Sequence, residues 1–299
     1  MMNGKAFLDA LDIKAKRYAD SARQSYEGQE EICGWLFDPL ARWAQTAYGD
    51  SVFEQAARGY AQYCMHVSQA KQKYEQTGRY TPENLPAIIE NVYEDSSYMT
   101  PYMWAAILIY GFWPSMTNHI RMFREDFLNR LPTNPRILEL ACGHGVMGLL
   151  AVNHRRDAHL YGYDIGAPAI EIAHKLASAS QLTQRAHFEV KDVLSLNGNG
   201  NEPGFQGVMA AMLAEHLEDP PLLFESISRY LVPGGLAFFS TALESPQRDH
   251  VYEFHRESEP ILMAEKAGLR VIRLVCDRGA IVPGQRFTAR ALAMVLERA

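Results

Sequence analysis

The chain has few cysteines, and no pattern uses them together. Its four cysteines, Cys33, Cys64, Cys142 and Cys276, lie far apart and form no C-x-x-C pair. The sequence therefore gives no sign of a disulfide framework or a zinc site, and we predict no metal. The first residues, MMNGKAFLDALDIKAKRYAD, lack the continuous apolar core of a signal peptide. We expect a cytoplasmic location, where thiols stay reduced.

Long apolar segments and basic runs are also missing. The most apolar run, PYMWAAILIYGFW (101–113), is too short to cross a bilayer and ends at Pro114. The formal net charge is -6 and no run of Lys or Arg occurs, so the chain lacks the basic surface that nucleic acids require. We expect neither a membrane nor a nucleic-acid partner, and a small molecule as substrate.

The hydrophobic pattern changes near residue 132. Before this point the patterns are helical only, and Thr100-Pro101 has the residue types of a helix start. The segment LPTNP then interrupts the chain, and short β-branched runs follow in alternation with helical patterns. We predict an all-helical N-terminal domain over 1–131, which acts as a lid, and an α/β domain over 132–299.

The second half contains seven predicted strands. Helical patterns separate most of these strands, and the Asn/Gly-rich loop LNGNGNEPG separates the third from the fourth; this alternation predicts a mainly parallel sheet with both faces covered. The last two are joined by RGAIVPGQ, which is too short for a helix, so they should pair antiparallel. The seven strands are RILELA, HLYGYD, AHFEVKD, FQGVMAAML, GGLAFFSTA, RVIRLVCD and RFTARALAMVLE.

The first predicted strand leads into ELACGHGVMG (139–148), which contains a G-x-G-x-x-G. This motif is compatible with NAD or with another adenosine-bearing ligand, and Asp164, 21 residues after Gly143, suits the ribose of either. Glu139 decides between them, because a carboxylate there would repel a pyrophosphate but suits an ammonium and a sulfonium. Asp192, at the end of the third strand, is an acceptor for an adenine amine.

The sequence resembles the class I S-adenosylmethionine (SAM) dependent methyltransferases, which have a Rossmann-like fold. The resemblance covers the last 165 residues or so, in the segments ILELACGHG, LYGYDIG, FEVKDV, MLAEHLEDP and LVPGG. It departs from the family at Ala141, where glycine is commoner. The resemblance implies SAM as cofactor, bound by Tyr102, Glu139, Ala141, Gly143, Gly145, Asp164, Ile165, Asp192, Val193 and Met212.

Candidates for the chemistry lie outside these motifs. His216 follows Glu215 after the fourth strand and is a candidate base or a structural residue. Asp249 could orient His250 as a base after the fifth strand, or both could be solvated loop residues. Tyr98 is the third candidate, within an aromatic and thioether-rich segment (93–104) that is either bundle core or a lid over a sulfonium. Asn118 and His119 are weaker candidates.

Three functions follow from these features. The leading one is methyl transfer from SAM to a small-molecule metabolite enclosed by the N-terminal helices. The second makes SAM itself the substrate, cyclised to azetidine-2-carboxylate and methylthioadenosine, as in some proteins that resemble this superfamily. The third is a non-catalytic SAM-binding subunit.

Overall fold

A computed structural model of the chain describes residues 4–82, 84–194, 204–279 and 287–299. The first part of the chain is helical throughout its described residues. Its helices are α1 (Lys5–Lys14), α2 (Lys16–Tyr26), α3 (Glu30–Tyr48), α4 (Ser51–Thr77), α5 (Leu85–Ile88), α6 (Ser96–Phe112) and α7 (Pro114–Met122). A π-helical turn (Ile89–Tyr93) follows α5, and α7 continues through a second one (Phe123–Phe127) into a 3-10 turn (Leu128–Arg130).

Strands and helices then alternate as the sequence predicts. The strands are β1 (Arg136–Leu140), β2 (His159–Asp164), β3 (Ala186–Val190), β4 (Phe205–Ala211), β5 (Leu231–Leu243), β6 (Leu269–Arg278) and β7 (Arg290–Arg298). The helices between them are α8 (Val146–His154), α9 (Ala167–Ser180), α10 (Pro221–Tyr230) and α11 (Ser258–Lys266), and a 3-10 turn (Ala214–His216) follows β4. Among the described residues, no helix has both the length and the hydropathy that crossing a membrane requires.

The seven strands form a single sheet in the order β3-β2-β1-β4-β5-β7-β6. Strands β1 to β5 pair parallel, whereas β7 runs antiparallel to both β5 and β6. The predicted Rossmann-like sheet with an antiparallel last strand is therefore confirmed. Most of the segment RGAIVPGQ, over 280–285, lies outside the described residues.

Each face of the sheet is buried by a different set of helices. Successive residues of β5 point to opposite faces, so Phe238 packs with the N-terminal helices while Phe239 packs against α10. The Phe238 ring lies 5.1 Å from that of Phe123 and 6.2 Å from that of Phe127. The N-terminal helices therefore share one apolar core with the sheet, and the division at 131/132 remains a prediction.

The start of the apolar helix differs from the sequence-based expectation. We expected Thr100-Pro101 to open it, but α6 begins at Ser96, and Pro101 lies inside it. The side chain of Asp95 accepts a hydrogen bond from the Ser97 N–H at 2.8 Å and supplies an N-cap one turn earlier. The local cap thus overrides the Thr-Pro signal, even though Pro101, the sixth residue of α6, lacks the N–H that would bond the Ser97 carbonyl oxygen.

Candidate active site

A cavity of about 450 Å³ lies where the carboxyl ends of β1 to β5 face the N-terminal helices. This is the edge of an open α/β sheet at which ligands bind. Eleven of the thirteen predicted site residues line the cavity: Tyr102, Glu139, Ala141, Gly143, Asp164, Ile165, Asp192, Val193, Met212, His216 and His250. Two predicted residues do not line the cavity: Gly145, which belongs to the glycine turn, and Tyr98.

The glycine turn after β1 is held by the acid at the end of β2. The Oδ2 atom of Asp164 accepts the Gly143 N–H at 2.8 Å, and its Oδ1 atom accepts the Gly166 N–H, also at 2.8 Å. Both glycines of the turn have positive φ, 52° at Gly143 and 70° at Gly145. A Cβ at Gly145 would lie 2.6 Å from the Phe188 ring, so only glycine fits there.

Ala141, the departure from the family pattern, has a left-handed backbone conformation with φ of 53°. An L-residue with a Cβ is strained in this region, by about 1–2 kcal/mol. This strain gives a physical reason why glycine is commoner at this position. The methyl group also lines the cavity and occupies space beside the glycine turn.

The substitution Ala141→Gly is expected to raise the free energy of unfolding by about 0.5–1 kcal/mol, because the relief of strain exceeds the added entropy of the unfolded chain. Urea unfolding of the ligand-free protein measures this. The matched control Ala173→Gly, in the middle of α9, should lower the stability by about 1 kcal/mol or more. A similar loss at both positions would show that Ala141 is unstrained.

Glu139 is a buried carboxylate with one oxygen unpartnered. Its side chain accepts the Gly148 N–H in the first turn of α8, where amides have no helical partner. The Oε2 atom has no hydrogen-bond partner among the described residues, and the residue is 5% exposed. Burial is the main cause that raises the pKa of Glu139 to about 8; the hydrogen bond from Gly148 opposes the shift, and the charge of Asp164 adds a smaller rise. Such an orphaned oxygen is costly unless a ligand supplies a donor.

Residues that follow β3 line another part of the cavity. Asp192 is exposed, and its Oδ1 atom accepts the Leu194 N–H at 2.9 Å, which fixes the carboxylate beside the buried Val193. Ile165 is 43% exposed at the end of β2, an unusual position for an aliphatic side chain, and forms an apolar wall. Met212, at the end of β4, has φ of 52° and donates its N–H to the Ser240 carbonyl oxygen at 2.9 Å.

Two histidines and two acids lie together at the ends of β4 and β5. The ring centroids of His216 and His250 are 4.9 Å apart. Burial lowers the pKa of His250 to about 3. Burial also raises the pKa of Glu215, whose Oε2 atom accepts the Thr241 hydroxyl at 2.7 Å. The sequence suggested these residues as two separate pairs, Glu215-His216 and Asp249-His250; the structure brings the pairs into one cluster.

Asp249 does not orient His250 in the way we expected. Its Oδ2 atom accepts the Tyr102 hydroxyl at 3.3 Å and lies 3.5 Å from Nδ1 of His216. His250 instead donates from Nδ1 to the Ser245 carbonyl oxygen at 2.6 Å. The side chains of these two adjacent residues therefore have different partners: Asp249 contacts Tyr102 and His216, whereas His250 contacts Ser245.

The helical side of the cavity is aromatic and thioether-rich. Tyr93, Met99, Tyr102 and Met103 all line it. Burial raises the pKa of Tyr93 and of Tyr102 well above the usual value, so both phenols are neutral. Cavity-lining residues that the sequence did not single out include Tyr63, His144 and Gln247. No local motif marks them, since their position depends on packing between distant segments.

Tyr98 lies elsewhere. Its ring stacks on Tyr102 at 5.9 Å, and it lines a second cavity of about 430 Å³ that also includes Tyr63 and Gln247. Its catalytic role therefore has no support from contact with the first cavity. Asn118 also points away, because its amide donates to Asp277 on β6 at 2.9 Å.

Comparison with known proteins identifies the family that the chain matches. Residues 112–299 match the family described as "Methyltransferase domain". The chain is 28% identical over 108 residues to a ubiquinone biosynthesis O-methyltransferase of Vibrio cholerae serotype O1, which is 36% of this chain and 41% of that protein. It is 27% identical over 134 residues to the protein of that name from Hahella chejuensis, covering 44% of this chain and 53% of that protein. The chain thus spans about half or less of these relatives.

Solved structures show the same fold. An O-methyltransferase family protein from Burkholderia thailandensis has a TM-score of 0.57 at 14% identity, covering 82% of this chain and 72% of that one. The N-methyltransferase NodS of Bradyrhizobium japonicum WM9, in complex with S-adenosyl-L-homocysteine, has a TM-score of 0.53 at 16% identity. The match covers 72% of this chain and 99% of NodS.

Proposed function

Because the chain belongs to the class I SAM-dependent methyltransferase superfamily, we propose that it transfers the methyl group of SAM to a small, partly apolar acceptor. The observation that carries this proposal is the buried, unpartnered Oε2 atom of Glu139 beneath the glycine turn. An ammonium group at this point would supply the missing donor and neutralise the carboxylate. A pyrophosphate could do neither.

The cavity residues fit the remaining parts of the cofactor. We assign the ribose hydroxyls to Asp164, whose two oxygens each keep lone pairs beyond those used by Gly143 and Gly166. We assign the adenine to Asp192 and Val193, with Ile165 against its face. Ala141, Gly143 and Met212 line the path between the ribose and the methionine end.

SAM supplies an electrophilic methyl group, so the protein chiefly has to align the acceptor and exclude water. Tyr93 and Tyr102 line the cavity, and an aromatic face can stabilise a nearby cation by about 0.5–2 kcal/mol. Met99 and Met103 fill the space around them. We assign to the N-terminal helices the role of a cover over the reacting groups.

A small acceptor suits the dimensions of this site. A volume of about 450 Å³ lies at the lower end of the range for ligand sites, and the cofactor occupies much of it. The formal net charge of -6 also disfavours a polyanionic acceptor. We assign the acceptor to the wall formed by Glu215, His216 and His250, which follows β4 and β5 on the side of β1 away from β2 and β3.

Mass spectrometry of the nucleoside product tests the proposal. We expect S-adenosylhomocysteine to form when the purified protein receives SAM together with a metabolite extract, and not with SAM alone. Methylthioadenosine formed from SAM alone would overturn methyl transfer in favour of cyclisation. Saturable SAM binding without either product would favour a binding subunit. The Asp164→Ala variant is the control, since it should form no product above background.

A further inference from the structure

The cluster at the acceptor end has the composition of a metal site. One nitrogen of each imidazole, of His216 and of His250, and one carboxylate oxygen of Glu215 lie within 4.8 Å of one another. All three residues line the cavity. Two histidines and one carboxylate are a donor set typical of divalent first-row transition metals.

The hydrogen bonds of the two imidazoles set their tautomers. Nδ1 of His250 lies 2.6 Å from the Ser245 carbonyl oxygen, and Nδ1 of His216 lies 3.0 Å from the Asp249 carbonyl oxygen. A carbonyl oxygen only accepts, so each Nδ1 carries the proton and donates it; the Tyr93 hydroxyl, 3.1 Å from Nδ1 of His216, is then a second acceptor for that N–H. The nitrogen that each ring retains for a metal ion is therefore Nε2. This arrangement, with the second ring N–H donated to a carbonyl, is the usual one for metal-binding histidines.

A hydrogen bond also orients the carboxylate of Glu215. Thr241 donates its hydroxyl to Oε2 of Glu215 and fixes the group, while Oε1 has no partner among the described residues. Glu215 is 1% exposed, so water does not satisfy this oxygen from outside. A buried carboxylate oxygen left without a donor costs stability, and a bound cation would remove that cost.

The charge around the cluster also favours a cation. Asp249 is 1% exposed and its Oδ2 atom lies 3.5 Å from Nδ1 of His216, so a second buried acid lies next to the cluster although it does not line the cavity. Among the residues that the structure describes, neither Glu215 nor Asp249 forms an ion pair with a lysine or arginine. No lysine or arginine in the described part of the chain therefore competes with a cation for the two acids next to the donor atoms.

We propose that Glu215, His216 and His250 bind one divalent transition-metal ion, such as Co²⁺, Mn²⁺, Fe²⁺ or Zn²⁺. Ligand atoms around such an ion are about 3.4 Å apart, so the three side chains must close by small rotations. The ion leaves coordination positions open towards the cavity. The open coordination positions would bind an oxygen of the acceptor, so we assign the acceptor to compounds with a hydroxyl group or a vicinal pair of oxygens. This acceptor class rests on the proposed methyl transfer.

Cobalt titration of the metal-stripped, full-length protein tests the site without SAM or acceptor. We expect saturation at one Co²⁺ per chain with visible ligand-field absorption. Millimolar Mg²⁺ should not displace the Co²⁺, because nitrogen ligands disfavour Mg²⁺. Absence of saturable binding, or displacement by Mg²⁺, would overturn the proposal.

Two variants locate the ion. Glu215→Gln, which keeps the size and an acceptor for Thr241, should raise the Kd for Co²⁺ by at least about 100-fold, and Thr241→Val should raise it by about 10-fold through the positioning of Glu215. The control His119→Gln alters a buried histidine on α7, away from the cavity, and should leave the Kd unchanged. Wild-type affinity in Glu215→Gln would contradict the assignment.

The binding of S-adenosylhomocysteine, measured on the same samples, separates this proposal from the proposed function. Retained S-adenosylhomocysteine binding with lost Co²⁺ binding shows a folded variant with a damaged metal site, as we expect for Glu215→Gln. Cobalt binding by a wild-type protein that neither binds S-adenosylhomocysteine nor methylates an extract would support the metal site and contradict the methyltransferase assignment.

Discussion

The substitution Asp164→Asn is expected to lower the affinity for S-adenosylhomocysteine by at least about 100-fold. A hydrogen bond to an ionised group contributes about 1.5–3 kcal/mol, and the ribose hydroxyls lose their charged acceptor. The effect is larger than the loss of charge alone because both oxygens of Asp164 accept backbone N–H groups, from Gly143 and Gly166. An asparagine has a single acceptor atom, so its NH₂ group must face one of these donors. The glycine turn then loses one of its two attachments.

Calorimetric titration with S-adenosylhomocysteine measures this effect. Asp192→Asn is the matched control, because the same chemical change at an exposed acid leaves an amide oxygen for the Leu194 N–H. We expect its affinity to fall by less than about 10-fold. Equal losses at the two positions would mean that Asp164 contributes through charge alone. Wild-type affinity in Asp164→Asn would refute its assignment to the ribose.

The residues that we assign to SAM could be predicted from the sequence because local backbone conformation and spacing determine where they lie. Gly143 follows β1 in a turn whose conformation excludes most other residues, and Asp164 ends the next strand, which pairs with β1. Strand, turn and helix lie within consecutive residues, so the spacing alone places the acid beside the turn. The left-handed conformation of Ala141 could not be predicted in this way, since alanine gives no signal for positive φ.

The part of the site that we assign to the acceptor depends on contacts between distant segments of the chain. His216 and His250 are 34 positions apart in the sequence, and they meet because β4 and β5 are adjacent parallel strands that end at the same edge. The sequence indicated each histidine, but the direction of each side chain is set by backbone carbonyls in irregular loops. Tyr98 and Tyr102 show the same limit: one helical turn apart on α6, they line different cavities.

Glu139→Gln is expected to stabilise the ligand-free protein and to weaken SAM binding. The carboxyl pKa is about 8 in the folded chain against 4.5 for the unconstrained group. Between these values the folded state holds a proton that the unfolded state has lost, so the stability contributed by this group falls as pH rises from about 4.5 to 8. Glutamine does not titrate. The variant should match the wild type near pH 4 and exceed it by a few kcal/mol above pH 8, as urea unfolding across this range will measure.

The same carboxyl should release a proton when SAM binds. At pH 7 the free protein holds Glu139 mostly protonated, whereas an ammonium beside it favours the carboxylate. Calorimetry in buffers of different ionisation enthalpy should therefore give close to one more proton released by the wild type than by Glu139→Gln. Comparison of the two cancels the titration of the ligand's own amine, whose pKa of about 7.7–8.0 lies in the same range. Equal proton release would show that Glu139 does not change its ionisation on binding, and the ammonium would then have to lie elsewhere. The cofactor would thus supply the positive charge that this buried acid lacks in the ligand-free protein.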